Sequence, residues 1–429
     1  MKQDITIHWF RRDLRLEDNT ALNTALKGQS PVLPLFIFDT NILDELAPND
    51  ARVNFIHKQL QHINKKLKLN YKSSVLIKYG NPIDIFQELA EEFNIESVHF
   101  NRDYEPYAIK RDKFVTDFLQ KQSINVINYK DHVVFEAHEI LKKDASPYTV
   151  YTPYKKQWLK HFKHIKLDSE SGISDNFLQQ DFNFPPIELI GFRNSCINVP
   201  DYTLLSIDRY AEERDFPYLD STSYLGPHLR FGTVSVRQIL LQLKMEHTVF
   251  LSELIWREFF MQILFHFPYV VTQSFRKQYD DIKWRNNEVE FERWCQGQTG
   301  YPLVDAGMRQ LNTTGCMHNR VRMVCASFLC KHLLIDWRWG EAYFANKLLD
   351  YELASNNGNW QWAAGTGCDA APYFRIFNPT EQQRKFDPDF SYVRQWIEEF
   401  DTTSYPKPMV EHVMARKRAL ETYQTAVKK

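Results

Sequence analysis

The chain has 429 residues, of which 43% are hydrophobic and 25% are charged, and its formal net charge is −1. Because this length exceeds what one compact core usually supports, we expect two or three domains. The balanced charge excludes a protein that is basic throughout, so any surface for nucleic acid must be gathered on one face. The sequence contains no long apolar run, and we therefore expect neither a membrane span nor a secretory leader.

The six cysteines form no Cys-x-x-Cys pair, and no histidine stands at zinc spacing beside them. We interpret them as reduced, buried thiols, and we expect a cytoplasmic protein without a metal.

Strand and helix patterns alternate over the N-terminal part of the chain. A helical pattern lies at residues 51–69, and strands are predicted at residues 5–10, 31–39, 73–80, 95–101 and 124–129. This alternation predicts a doubly wound parallel sheet. No Gly-x-Gly-x-x-Gly follows the first strand, so the usual dinucleotide fingerprint is missing.

The composition changes after the last of these strands. The following segment is rich in Pro, Tyr and Asn, and beyond it strand patterns nearly vanish in favour of helical ones. We predict an α/β domain over residues 1–130, a connector over 131–201 and an all-helical domain over 202–429. The predicted fold class is thus a parallel α/β domain joined to an all-α domain.

The stretch "NNGNWQWAAGTGCDAAPYFRIFNP", at residues 356–379, combines two tryptophans with adjacent amides and glycines. Trp usually serves packing, whereas Asn and Gly usually serve turns. We predict that this segment is poor in regular structure and holds planar rings with polar edges. Eight of the ten tryptophans lie at or after Trp256, which favours the C-terminal part as the site of such ligands.

Three other motifs carry candidate chemistry. Residues 221–235 gather small hydroxyls and glycines before a helix predicted to begin near Val236, a pattern that suits a phosphate or an ordinary capped loop. One helical stripe contains Glu253, Trp256, Arg257 and Phe260, a combination that is unusual for a core. The alternative is that this stripe is an interface with an internal Glu–Arg pair. Arg322 could pair with a carboxylate at 350 or 352, either beneath a ligand or as a structural salt bridge.

In their order and joint presence, these motifs resemble the photolyase/cryptochrome family, and most closely its class I cyclobutane pyrimidine dimer photolyases. The densest match covers "DFPYLDSTSYLGPHLRFGTVSVRQ", "ELIWREFF", "GYPLVDAGMRQLNTTGCMHNRVRM", "LLIDWR" and the stretch at 356–379. The resemblance implies that the helical domain holds FAD and that UV-damaged DNA, single- or double-stranded, is the substrate. We expect a monomer with no membrane partner.

The resemblance assigns residues to both ligands. Those that would hold FAD are Tyr210, Thr222, Ser223, Tyr224, Leu225, Gly226, Arg322, Asp350, Glu352 and Asn356, the last facing the reactive ring nitrogen. Those that would line the lesion cavity or contact DNA are Arg214, Glu253, Trp256, Arg257, Asn319, Arg320, Met323, Trp362, Arg375 and Gln382. Trp256 and Trp362 would flank a flipped-out dimer.

Trp360, Trp337 and Trp284 match the family's chain of tryptophans from flavin to surface, although all three could simply be core residues. The implied reaction is electron transfer from photoexcited, reduced FAD to the dimer, with Glu253, in a protonated form, stabilising the dimer's radical anion. The alternatives are repair of the (6-4) photoproduct, a cryptochrome-type photoreceptor and a DNA-binding module without catalysis. The (6-4) enzymes place a second His where Asn319 stands.

The sequence departs from the family pattern at three positions. Cys316 replaces a Trp that is common in relatives, Glu352 replaces the usual Asp, and Ala108 stands where relatives have a folate-contacting Glu. The resemblance leaves open a second, antenna chromophore of the folate, deazaflavin or flavin type.

Overall fold

The computed structural model describes residues 2–167 and 174–428. The chain forms two compact units, each built from separate segments: Met1–Glu139, His161–Asp201 and Leu225–Lys244 in the first, and Ile140–Lys160, Tyr202–Tyr224 and Met245–Lys429 in the second. The division into three consecutive regions at 1–130, 131–201 and 202–429 stays a prediction.

The first unit contains a sheet of five parallel strands in the order β3-β2-β1-β4-β5. The strands are β1 (Asp4–Phe10), β2 (Val32–Asp39), β3 (Leu76–Gly80), β4 (Asn94–Asn101) and β5 (Asn125–Tyr129). β2 is buried along its whole length, as expected for a strand covered on both faces. The predicted doubly wound sheet is confirmed, and each of the five predicted strands overlaps an observed one.

Helices make up most of the remaining structure. In chain order they are α1 (Thr20–Leu26), α2 (Thr40–Leu43), α3 (Ala51–Tyr71), α4 (Pro82–Glu92), α5 (Pro106–Lys121), α6 (Tyr151–Phe162), α7 (Tyr210–Glu213), α8 (Leu225–Phe231), α9 (Val236–Leu241), α10 (Thr248–His266), α11 (Glu288–Cys295), α12 (Pro302–Thr314), α13 (Asn319–Ser327), α14 (Trp337–Lys347), α15 (Leu353–Ala364), α16 (Pro379–Phe386), α17 (Ser391–Trp396) and α18 (His412–Val427). Short 3-10 turns lie at Ile187–Ile190, Ile207–Arg209, Pro217–Leu219, Pro268–Val271 and Lys277–Tyr279, and a π-turn at Phe328–His332.

A buried charge network follows β1 in the first unit. Asp131 accepts hydrogen bonds from Arg15 at 2.5 Å and from Arg237 at 2.7 Å. Burial alone would raise the pKa of Asp131, but the two guanidinium groups hold this pKa well below its usual range. The charged loop after β1 therefore has a structural role, because a buried carboxylate needs such partners.

Aromatic and cationic side chains lie at the carboxyl end of β1. The guanidinium groups of Arg11 and Arg111 each lie 5.0 Å from the ring centre of Trp9, and both arginines bond Asp112. The strand order changes direction between β1 and β4, and doubly wound sheets bind ligands at such a point. Ala108 is 4% exposed and offers no carboxylate there, and the type of antenna chromophore stays open.

The second unit is helical. No strand follows Tyr129 in the described residues 130–167 and 174–428, as the loss of strand patterns predicted. A large apolar cluster surrounds Trp294, Trp337 and Trp360. None of the helices described is both long and apolar enough to cross a lipid bilayer.

The six cysteines are all free. Cys295, Cys325 and Cys330 are buried, as predicted, but Cys196 is exposed and two others are half-buried. The prediction of buried thiols is therefore wrong for Cys196, which lies in a loop.

A buried lysine links three parts of the second unit. Lys331 is 1% exposed and donates to the Ala364 carbonyl at the end of α15 at 2.7 Å, and its Nζ lies 3.6 Å from the ring centre of Tyr423 on α18. The Tyr423 hydroxyl donates to the same carbonyl at 2.8 Å. Burial lowers the pKa of Lys331 to about 7.

We expect Lys331→Met to remove a pH dependence of stability. The ordinary lysine pKa is 10.5, so between pH 7 and 10.5 the unfolded chain binds a proton that the folded chain does not. The free energy of unfolding of the wild type should therefore rise with pH relative to the variant, by up to about 5 kcal/mol over the whole window. Urea unfolding at several pH values measures this difference. The exposed-lysine variant Lys417→Met should follow the wild type, and parallel curves for Lys331→Met would contradict the prediction.

Candidate functional site

Ion pairs connect the helices of the second unit that carry most of the predicted site residues. They join α7, α10, α13 and the segment between α14 and α15 through Arg214–Glu253 at 2.6 Å, Arg257–Glu352 at 3.7 Å, Arg322–Asp350 at 3.0 Å and Arg320–Asp215 at 2.7 Å. Seven of these eight side chains are sequence-predicted site residues, so the structure brings them together in pairs.

Glu253 bonds a partner outside its own helix. Arg214, at the end of α7, donates to Glu253 and lies 5.3 Å from the ring centre of Tyr210. Burial would lower the pKa of Arg214, but Glu253 raises it. Arg257 pairs with Glu352. The structure therefore favours these two ion pairs over an internal Glu253–Arg257 pair. The protonated form of Glu253 that the resemblance implies stays a prediction.

Trp256 lies in a column of aromatic rings. Tyr151, the first residue of α6, stacks on its indole with 3.6 Å between ring centres and an angle of 8°. Phe260 stacks at 5.4 Å and 27°. A Cβ on Gly358 of α15 would lie 2.1 Å from the Phe260 ring, so the column packs directly on the α15 backbone.

Sequence reasoning missed Tyr151 because the Pro- and Tyr-rich segment around it was assigned to a connector. Tyr151, Tyr154 and Trp158 are spaced as one helical stripe, and all three are buried. Trp158 donates to Glu258 of α10 at 2.7 Å. That spacing was the available signal that the segment packs as a helix.

Asp350 has an unsatisfied buried acceptor. Its Oδ2 accepts from Arg322 at 3.0 Å, whereas its buried Oδ1 has no hydrogen-bond partner among the described residues. Of the two carboxylates predicted for Arg322, the structure selects Asp350. A lone carboxylate oxygen fits a ligand that offers N–H or O–H donors, and the imide and hydroxyl groups of FAD are such donors. The residues present therefore fit this cofactor.

Asn356 is buried on α15, and its side chain is oriented by a residue that sequence reasoning missed. Its amide nitrogen donates to the Glu341 backbone carbonyl at 3.1 Å and to the Glu341 carboxylate at 2.8 Å. Burial raises the pKa of Glu341, although the bond from Asn356 opposes the shift. With the amide nitrogen engaged by Glu341 of α14, the carbonyl oxygen of Asn356 is the atom left to face a ligand.

The segment at 356–379 begins as a helix, so the prediction of little regular structure is wrong for its first part. α15 runs to Ala364, and its buried amides bond the neighbouring backbone: Asn357 and Gln361 each donate to the Val270 carbonyl at 2.9 Å. Gln361 also accepts from Phe275 N–H at 2.8 Å. These tertiary bonds outweigh the poor helix propensity of Asn and Gly.

The predicted phosphate-binding run divides between the two compact units. Thr222, Ser223 and Tyr224 lie in a loop of the second unit, where Tyr224 has a φ of +52°. Leu225 and Gly226 begin α8 of the first unit. The next helix, α9, begins at Val236 as predicted, capped by Ser235 with a reciprocal bond to Gln238.

The three tryptophans of the predicted chain differ in exposure. Trp360 is 2% and Trp337 is 1% exposed, whereas Trp284 is half-buried and packs against the same cluster. Trp284 contacts Tyr423 edge-to-face at 6.0 Å. This order of burial is compatible with a path from interior to surface, and the path itself stays a prediction.

The remaining predicted DNA contacts are more exposed. Asn319 and Arg375 are exposed, and Arg320, Met323, Trp362 and Gln382 are half-buried. Arg320 lies 4.4 Å from the ring centre of Phe386. The Oε1 of Gln382 has no partner in the part of the chain that the structure describes, so this amide retains an acceptor for a ligand.

Comparison with known proteins places the chain in a family. A model of the FAD binding domain of DNA photolyase matches residues 250–404, and a DNA photolyase model matches residues 6–171. The deoxyribodipyrimidine photo-lyase of Vibrio cholerae is 36% identical over 97% of this chain and 99% of its own length.

Solved structures agree with these matches. A bacterial class III photolyase from Agrobacterium tumefaciens has a TM-score of 0.88 and 32% identity, covering 100% of this chain and 99% of that one. An archaeal photolyase from Sulfolobus tokodaii with two FAD molecules has a TM-score of 0.86 and 33% identity, covering 98% and 100%. The class I assignment within the photolyases stays a prediction. The chain carries the FAD-binding domain, and it belongs to the photolyase/cryptochrome family.

Proposed function

We propose that this chain is a DNA photolyase that uses FAD and light to repair cyclobutane pyrimidine dimers. The observation that carries the proposal is on α10, where Trp256 is held in a ring stack one turn from the Arg214–Glu253 pair. A flat apolar surface next to a charged, hydrogen-bonding group suits two linked pyrimidines of one damaged strand that are turned out of the duplex. The deoxyribodipyrimidine photo-lyases among the relatives support the substrate class.

The cofactor would be held by polar groups of the second unit. Asp350 offers its unpaired oxygen, Arg322 orients that carboxylate through its hydrogen bond, and Asn356 presents its carbonyl oxygen. Reduced FAD, when bound, supplies the photoexcited electron. The protein's own contribution is then to position the substrate and to exclude water.

The substrate would be held by stacking and by the charges of α10. Trp362 and the part of Trp256 that Tyr151 does not cover provide indole surface, and stacking on an aromatic side chain contributes about 1–3 kcal/mol per base. Glu253 bonds Arg214. If a substrate carbonyl displaces this arginine, the carboxyl group of Glu253, in the protonated form that the resemblance implies, can donate a hydrogen bond to that carbonyl. We further infer that the protein acts as a cytoplasmic monomer.

Repair of the (6-4) photoproduct is disfavoured by the surroundings of Asn319. The neighbouring His318 caps α13 by accepting from Arg320 N–H at 3.2 Å. Burial, together with Arg322, lowers the pKa of His318 to about 4. A neutral histidine engaged as a helix cap is a poor proton donor, and Asn319 cannot replace it.

Illumination of the FAD-loaded, reduced protein with an oligonucleotide containing one thymine dimer tests the proposal. We expect the ultraviolet absorbance of thymine to recover in the light, because the two intact bases are restored. A dark sample and an oligonucleotide carrying a (6-4) photoproduct should show no recovery. Selective binding of the dimer without recovery would instead indicate a photoreceptor, and recovery of the (6-4) oligonucleotide alone would indicate the other repair activity.

A further inference from the structure

The ring of Tyr151 is fixed at both ends within the second unit. Its backbone N–H donates to Asp369 Oδ2 at 3.0 Å, and its hydroxyl donates to the Ser252 carbonyl of α10 at 2.8 Å. Lys155, one turn further along α6, bonds the Ser252 hydroxyl. Ser252 lies one helical turn before Trp256, so the phenol is tied to the helix that carries the indole it covers.

The stack between Tyr151 and Trp256 has an unusual geometry. Aromatic pairs prefer offset or edge-to-face arrangements over a face-to-face sandwich, yet these rings are nearly parallel with centres only 3.6 Å apart. Phe259 closes the column by meeting both rings edge-on, at 5.8 Å from Tyr151 and 5.5 Å from Trp256. The surrounding hydrogen bonds and packing therefore hold Tyr151 over the indole, and the indole loses its rotational freedom.

We propose that Tyr151 is a positioning residue for lesion binding, which acts by covering one face of Trp256 and so presenting the rest of the half-buried indole to a flipped-out pyrimidine. This inference rests on the proposed function and deepens it. A side chain that is already ordered loses less conformational entropy when a ligand stacks on it. The residue comes from the segment 140–160, which the sequence alone had assigned to a connector.

A double-mutant cycle in the dark tests the inference on the FAD-loaded protein. Affinity is measured for an oligonucleotide with one thymine dimer and for its undamaged counterpart. Tyr151→Leu should weaken dimer binding by about fivefold or more, within the range of coupling between side chains in contact. Tyr151→Phe keeps the ring and should restore most of the affinity. In a Trp256→Ala background, Tyr151→Leu should cause no further loss.

Controls separate positioning from a general loss of structure. Tyr154→Leu removes a buried ring of the same helix that packs on Phe259, and it should leave the preference for the dimer intact. Independent, multiplicative losses from Tyr151→Leu and Trp256→Ala would overturn the inference, as would equal losses for damaged and undamaged DNA. Dark binding does not require photochemistry. Absence of repair with intact, coupled binding would therefore overturn the proposed function alone, and multiplicative losses with normal repair would overturn this inference alone.

Discussion

Replacing Glu253 by Ala should lower the quantum yield of dimer repair more than it lowers lesion affinity. Affinity comes mainly from stacking and from contacts to the DNA backbone, whereas a polar group at the substrate carbonyls acts chiefly when negative charge develops on them. In other enzymes, removing one such group lowers the catalytic rate by a factor of about 10²–10³. We therefore expect the yield to fall at least about tenfold further than the affinity.

The measurement compares repair per absorbed photon at saturating protein with the dissociation constant in the dark. Arg214→Met is the matched control, because it breaks the 2.6 Å ion pair but leaves the carboxyl group in place. If the carboxyl group itself matters, this variant should retain most of the yield that Glu253→Ala loses. Equal losses of yield and affinity in Glu253→Ala would contradict the proposed role.

The parallel sheet was predictable because its signals are local. Residues 31–39 form a near-continuous apolar run, and the observed strand is Val32–Asp39, buried throughout. The helical spacing at 51–69 corresponds to a helix that ends at Tyr71 in the structure. This helix begins directly after Asp50, whose side chain caps it. The burial of the strand follows from its continuous apolar run, and the burial of one helix face follows from the helical period.

The segment at 356–379 shows where local signals fail. Asn and Gly favour turns in isolation, but the amides of α15 are satisfied by the backbone near Val270, and Gly358 is needed where the Phe260 ring touches the helix. Neither fact can be read from the spacing of residues. The prediction that this stretch is poor in regular structure was wrong because tertiary contacts determine its conformation.

The candidate site was predictable in its residue types more than in its pairings. Arg322 was expected to meet an acid at 350 or 352, and it meets Asp350. Glu253 pairs with Arg214 and not with Arg257 of its own helix, because the end of α7 packs beside α10 although the two are separated in sequence. Tyr151 and Glu341 were missed for the same reason, because their roles depend on which helix packs beside them.

Replacing Gly340 by Ala should both destabilise the protein and slow photoreduction of its flavin. A Cβ at this position of α14 would lie 2.1 Å from Trp360 Cη2 and 2.5 Å from Leu329 Cδ2. Overpacking of this kind costs about 1–3 kcal/mol, which exceeds or cancels the gain of up to about 1 kcal/mol in helix propensity. The indole of Trp360 must move, and the first step of the predicted tryptophan chain depends on its position.

Gly307→Ala is the matched control for this prediction. Its Cβ would lie 2.3 Å from Val321 Cγ1, a comparable clash in the same cluster that does not involve Trp360. Thermal unfolding midpoints should fall in both variants, whereas the rate at which illumination and an external reductant convert oxidised flavin should fall only in Gly340→Ala. Trp360→Phe should abolish this photoreduction of the flavin, because a phenyl ring is hard to oxidise. Normal photoreduction in Trp360→Phe and Gly340→Ala would show that this indole only fills the core.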